Sequence, residues 1–321
     1  MSAGFTPRRV RGMEDHVRRI CDEVIDRICE QGSCDFVRDI AAPLPLAVIG
    51  DMLGIAPEDR ENLLRWSEDM LRSQGDPTPD AIEGAMQAFI EYTAYIGPVI
   101  EDRRSSGRDD DLVGVLVNAE VDGDRLDQDS LIHETLLILI GGDETTRHVL
   151  SGGTQALCEN REQWDALRAD VSLLPTAVEE MLRWVTPIKN MARTVTRDTE
   201  IGGTRLKAGA EVLLLYPSAN RDAAVFSEPD RFDVSRNPNP HLAFGFGSHF
   251  CLGNQLARLE LRVMFEQLLS RLPDIALAGT GDLPRRHANF ITGFESIPVT
   301  FTPSPRRAAG EAGGAGGAGG A

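Results

Sequence analysis

The 321-residue chain lacks the features that mark exported, membrane-spanning or nucleic-acid-binding proteins. No apolar run reaches about eighteen residues, so no segment is expected to span a bilayer as a helix. The start, Met1-Ser2-Ala3-Gly4-Phe5-Thr6-Pro7, has no charged stretch leading into an apolar one, so no signal peptide is expected. Cysteine is scarce and odd in number: Cys21, Cys29, Cys34, Cys158 and Cys251. None are spaced CxxC, which argues against a disulfide framework or a zinc site and for a reducing, cytoplasmic setting. Basic residues are outnumbered, 33 Lys and Arg against 50 Asp and Glu, for a net charge of −17. A nucleic-acid binder or a polybasic membrane-surface protein needs the reverse balance. A local basic patch for an acidic partner stays open. Aromatics are only 6%, yet 41% of the residues are hydrophobic, enough at this length for a large core without staples.

The first half reads as successive helices. Thr6 can cap a helix with Pro7 at its first position, and apolar residues at helical spacing continue to a stop at Gly32. Further helices fit 44–53, a stretch from about 57 and 80–104, with loops at 74–79 and 105–111. A longer one starts near Asp127 or Asp129; about 25 residues would span on the order of 37 Å. After a helix over 175–185 the period switches to two, with short strands over 192–196, 200–201, 204–206 and 211–215, and Gly202-Gly203 as a hairpin turn. A winding loop over 217–240, a last helix over 252–272 and a closing hairpin over 290–301 complete the pattern. The Gly/Ala-rich end reads as disordered.

Three motifs stand out. In Phe244-Gly245-Phe246-Gly247-Ser248-His249-Phe250-Cys251-Leu252-Gly253, a glycine-bearing loop delivers one cysteine to a helix start. Backbone N–H groups and the helix dipole favour an anionic sulfur there and lower a thiol pKa. A lone cysteine is ordinarily a small buried hydrophobe; the pattern F-x-x-G-x-x-x-C-x-G points to a metal-ligating thiolate. Glu180-Met181-Leu182-Arg183 puts Glu and Arg on one helix face, a pair worth little on a surface. Gly141-Gly142-Asp143-Glu144-Thr145-Thr146 lies in a helix that is apolar all round, where each glycine costs about 1 kcal/mol against alanine. That local conflict asks for a reason.

In this order the motifs resemble those of the cytochrome P450 superfamily, and the resemblance runs over residues 4–305. It implies a mostly α fold with small antiparallel β-sheets. It further implies a catalytic domain over 1–305, followed by a disordered tail over 306–321. The implied cofactor is haem b, iron protoporphyrin IX, with Cys251 as the axial ligand and Phe244, Gly247 and Gly253 shaping its loop. Arg193 and His249 match positions that meet haem propionates. Thr145 would hydrogen-bond the activated dioxygen or its water, and Glu144 would feed protons from solvent. Glu180 and Arg183, with Arg231 from Pro229-Asp230-Arg231-Phe232, would form a buried supporting network. Candidate pocket walls are Ile140, Gly141, Ile188, Met191, Phe290 and Ile291, which as plain core would look the same. His16, His133, His148, His241 and His287 show no ligand spacing and stay unassigned.

A narrower resemblance, to the actinobacterial steroid C26-monooxygenases, rests on residues 41–54, 142–153, 241–247 and 251–260. It implies hydroxylation of the terminal side-chain carbon of cholesterol or cholest-4-en-3-one, with dioxygen, two electrons and two protons. Hydroxylation of methyl-branched fatty acids or terpenoids is the alternative. With no flavin or ferredoxin module in the chain, a ferredoxin and its reductase would supply the electrons. Gln255, Arg258 and Arg262 share a helix face that could help dock the ferredoxin or simply face solvent. Family members are longer before the segment that matches residues 4–7. The first sheet strands, a substrate-covering loop and a helix with another propionate ligand are therefore not expected in this chain. The distal pocket would then be open, and a non-catalytic haem binder is a further alternative.

Overall fold

The computed structural model describes residues 2–307 apart from 76 and 122. Four of the α-helices begin at a side-chain cap. Thr6 accepts from Arg9 N ahead of α1 (Pro7–Arg11), and Thr78 from Ala81 N ahead of α5 (Pro79–Ser106). Asp111 accepts from Gly114 N ahead of α6 (Leu112–Asn118), and Asp127 from Ser130 N ahead of α7 (Gln128–Glu159). Between them lie α2 (Glu14–Asp26), β1 (Ser33–Asp35), α3 (Pro43–Met52), α4 (Arg60–Gly75) and the small hairpin β2 (Glu120–Val121) and β3 (Asp124–Arg125). After α7 come α8 (Arg161–Ala169), α9 (Leu174–Val185), β4 (Asn190–Thr194), β5 (Thr199–Ile201), β6 (Thr204–Leu206), β7 (Glu211–Leu215), α10 (Tyr216–Ala219), α11 (Asn254–Arg271), β8 (Ala276–Leu277) and β9 (Pro298–Thr300).

Several expectations are corrected. The single helix expected from Thr6 to Gly32 is two, because Gly12 N bonds both Arg8 O and Val10 O and tightens the chain out of the α ladder. α7 runs 32 residues, on the order of 48 Å. The closing hairpin over 290–301 does not form. Only β9 is extended there, and it pairs with β1 and β8 instead, where Val299 is buried. The expected tail over 306–321 begins with two arginines that are tied down. Arg306 pairs with Glu30 and Arg307 with Asp22; residues 308–321 lie outside the described residues. The hairpin of β5 and β6 turns at Gly202 and Gly203, both left-handed at φ 54° and 78°, which suits a two-residue turn.

α7 packs against α3, α4, α5, α9 and α11 and forms the centre of the core. Its glycines allow this. A Cβ on Gly142 would come 2.9 Å from Ile49 of α3, and one on Gly152 would come 2.7 Å from Val185 of α9. One face of the helix stays open: Leu137 is 62% exposed and Gly141 is exposed, while Leu139 between them is fully buried. Among the described residues no helix is long and apolar enough to cross a membrane. Leu139→Ala is expected to lower the unfolding free energy by about 2–5 kcal/mol. Leu137→Ala should change it by less than about 0.5 kcal/mol. Urea denaturation measures both, and equal losses would contradict this placement of the helix faces.

Candidate active site

Glu180 and Arg183 on α9 are both fully buried. Arg183 donates to both Glu180 oxygens at 2.7 Å, to Asn220 O and Pro229 O at 2.8 Å, and to Arg231 O at 3.1 Å. All five of its N–H groups are thus used. Glu180 also accepts from Asp233 N, Arg236 Nε and Asn239 Nδ2. The loop between α10 and Cys251 is therefore bonded to α9 at several points. The third charged member is Arg236, where Arg231 was expected. A turn closed by Arg231 N on Glu228 O leaves the Arg231 side chain exposed, 3.2 Å from Glu228. Arg236 donates to Ser227 O, Glu228 O and Arg231 O as well as to Glu180. Nothing in the sequence spacing distinguished the two arginines.

Adjacent residues hold the rest of this region. Glu179 accepts from Arg258 of α11 at 2.6 and 2.9 Å and pairs with His241 at 3.0 Å, so it joins both sides of the cysteine loop to α9. Burial raises its pKa, but Arg258 and His241 outweigh that and hold it at about 2. The last carbonyls of α9 are also capped. Lys189 Nζ donates to Val185 O and Thr186 O, and Arg221 to Arg183 O and Trp184 O. Burial, with Arg285 and Arg221 nearby, brings the Lys189 amine down to about 8.

The cysteine loop closes with Cys251 N on Phe244 O at 2.9 Å. Gly245 and Gly247 take φ of 73° and 72°, the conformation for which glycine is suited. Asn254 Nδ2 donates to Cys251 O, and the Phe244 ring lies under the Arg258 guanidinium at 4.6 Å. Burial raises the Cys251 thiol pKa; the Gly253 N–H and Arg258 oppose it but do not win. The lowered pKa expected from the helix start alone is therefore not reached. A cation on the sulfur would be needed to complete the deprotonation.

On α7, Glu144 and Thr145 face different surroundings. Glu144 is fully buried, with Arg147 on Oε1, Arg286 on Oε2 at 2.8 Å and His148 Nε2 at 3.4 Å from Oε2. Burial raises its pKa, but His148 and the two arginines outweigh that and keep it lowered. Its side chain is not exposed to solvent. Asp143 is buried with only Ser67 Oγ donating to it, and its pKa is raised, chiefly by burial. Thr145 is half-buried and donates to Gly141 O at 2.8 Å, so Leu137, Gly141 and Thr145 form one open stripe on the helix.

Of the expected pocket walls, Ile188 and Ile291 form an isolated bridge, and Phe290 O accepts from Lys189 N at 2.8 Å. Met191 lies farther along β4, opposite Leu214. Ile140 is half-buried on α7. The residues present fit a haem. Phe246 is 82% and Phe250 49% exposed beside Cys251, an apolar surface that a porphyrin plane could cover. A Cβ on Gly141 would meet nothing within 4 Å. Arg193 and His249 are exposed, with no acidic partner among the described residues, as groups for propionates would be.

Comparison with known proteins identifies the family. The family model for cytochrome P450 matches residues 11–277. A Mycolicibacterium smegmatis protein named steroid C26-monooxygenase is 57% identical over 305 residues, which cover 95% of this chain and 76% of the relative. A Mycobacterium tuberculosis methyl-branched lipid omega-hydroxylase is 40% identical over 94% of this chain and 71% of its own length. The solved structure of Bacillus subtilis cytochrome P450 PksS superimposes with a TM-score of 0.88 at 36% identity, over 94% of this chain and 77% of that one. Arg236→Ala should cost about 2–3 kcal/mol by leaving the buried Glu180 short of a partner. Arg231→Ala should cost less than about 0.5 kcal/mol. The reverse order in thermal or urea denaturation would restore Arg231 to the network.

Proposed function

The chain belongs to the cytochrome P450 family, a haem b monooxygenase family, and on that premise we propose that it hydroxylates the terminal side-chain carbon of cholesterol or cholest-4-en-3-one. The observation that carries this reading is the 57% identity, over 95% of the chain, to a protein named for that reaction. Cys251 would ligate haem b and Arg193 and His249 would meet its carboxylates, and the bound group would supply the dioxygen activation that attack on an unactivated C–H requires. The protein's share is placement. Glu180, Arg183 and Arg236 fix the loop before Cys251, and Glu179 fixes both sides of it, so the sulfur is presented in one position. Thr145 holds a proton at its hydroxyl on the open stripe of α7. Ile140, Ile188, Met191, Phe290 and Ile291 exclude water and present one methyl group, and Gly141 leaves room above the reacting carbon.

A methyl-branched lipid is the competing substrate, because a 40% identical relative carries that name and both substrates end in a branched alkyl chain. The haem-loaded protein is expected to show a high-spin shift on titration with cholest-4-en-3-one at lower concentration than with a methyl-branched fatty acid. The product should carry its new oxygen on the terminal side-chain carbon. Tighter binding and turnover of the fatty acid would favour the second reading.

Electrons would come from a ferredoxin served by its reductase, and the work would take place in the cytoplasm. On the helix face of Gln255, Arg258 and Arg262, Arg258 pairs with Glu179 and Arg262 with Glu14 and Glu266. Arg8, Arg9 and Arg11 on α1, which packs against α11, are exposed and have no ion-pair partner among the described residues. Replacing all three by Glu should slow reduction by a ferredoxin at least tenfold and leave substrate titration unchanged. Unchanged reduction would place the docking surface elsewhere.

A further inference from the structure

The buried carboxylate of Glu144 is gripped by two arginines that differ in their freedom to move. Arg147 sits one turn along α7, is almost fully buried, and also donates to Glu68 of α4 at 2.8 Å. Arg286 comes from the segment 284–295; its side chain is 18% exposed. Its second nitrogen, Nη2, lies 3.8 Å from Glu68, whose own side chain is 44% exposed. Both arginines thus lie against a second carboxylate, Glu68, but Arg147 is buried on the helix, whereas Arg286 is partly exposed and comes from a loop. While both arginines are in place each Glu144 oxygen accepts from a guanidinium, which disfavours protonation of the carboxylate. His148 and Asp143, the other titratable groups against Glu144, are buried as well.

The segment that carries Arg286 folds as one tight loop. Arg286 N donates to Gly293 O, Thr292 Oγ1 to Arg286 O, and Glu295 N to Pro284 O. Gly293 rests directly on His148, where a Cβ would come 2.1 Å from Nδ1. The opposite end of the same loop is Phe290 and Ile291, joined to Lys189 and Ile188. One short body thus has an ion pair to Glu144 at one end and two apolar side chains of the pocket wall at the other. Displacement of the wall by a bulky apolar ligand is transmitted to Arg286 with little slack, because these three hydrogen bonds tie the two ends of the loop together.

We propose that Arg286 is a positioning residue, a latch that holds Glu144 paired while the pocket is empty and moves to Glu68 when a hydrophobic substrate presses on Phe290 and Ile291. Glu144 is then free to take a proton from water and pass it into the site, returning to its carboxylate form after each transfer. The latch gives proton supply a condition: it opens only when there is something to oxidise. The inference rests on the monooxygenase reading and on Phe290 and Ile291 as pocket walls.

The test is infrared difference spectroscopy of the haem-loaded chain on adding cholest-4-en-3-one, with Glu144→Gln to assign the carboxylate band. A ligand-induced change in the Glu144 band is expected in the unaltered protein. In Arg286→Met the band should already sit at its ligand-bound position before ligand is added, while Arg286→Lys should keep the ligand-dependent change. Glu68→Gln removes the receiving carboxylate and should shrink the change about fivefold or more. A normal spin-state shift with no change at the Glu144 band would overturn the latch and leave the monooxygenase reading standing. The latch also falls if Glu68→Gln behaves as the unaltered protein does. Absence of any spin-state shift would remove the pocket assignment, and the latch with it.

Discussion

A carboxylate and a guanidinium taken fully out of water must satisfy one another and every remaining donor and acceptor, or they destabilise the fold by several kcal/mol. Glu180 and Arg183 meet that demand by reaching outside their helix. The partners that complete them, Asn220 O, Pro229 O, Arg231 O, Asp233 N and Arg236, all belong to the irregular chain before Cys251. A loop with little regular structure of its own is thereby held in one course. The cysteine at its end inherits that fixed position, and with it the ability to serve as a ligand in a defined direction. Glu179, next in sequence, extends the same logic to His241 and Arg258, so α9 governs the approach to the cysteine loop and the helix that leaves it.

The central helix is built on a different compromise. Glycine within α7 is unfavourable for the helix alone, yet Gly142 and Gly152 are where α3 and α9 come closest. Gly141, one residue earlier, faces open space on the same stripe as Thr145. Neighbouring glycines therefore serve packing and function separately. The charged residues that follow also divide. Glu144 is sealed among arginines, and Asp143 accepts from the Ser67 hydroxyl, its pKa raised chiefly by burial despite Arg147 nearby. Two adjacent carboxyl groups are driven apart in pKa by their surroundings, the situation in which proton-handling groups are found.

Much of this was legible from residue pattern. The caps Thr6 and Asp127, the Gly202-Gly203 turn and the helix carrying Glu180 and Arg183 all follow from local rules that act within a few residues. What was not legible depends on distant partners. Arg231 and Arg236 lie five apart in the same loop, and only the folded course of that loop decides which guanidinium turns inward. The closing strand reads as half of a local hairpin, but its partners come from residues 33–35 and 276–277. The Glu144 cage needs Glu68 and Arg286, from opposite ends of the chain, and neither carries a motif. The arginines of α1, without an ion-pair partner among the described residues, look no different in sequence from Arg258 and Arg262, which turn out to be paired.

All of this converges on one sulfur. The carbon monoxide difference spectrum of the reduced, haem-loaded chain, recorded beside Cys251→Ala, tests it most directly. The account predicts the red-shifted Soret band of thiolate ligation in the unaltered chain and its loss in the variant. A band that persists without the Cys251 sulfur, or its absence from soluble, haem-loaded protein, would contradict the assignment of Cys251 as the ligand that the whole α9 network is built to hold.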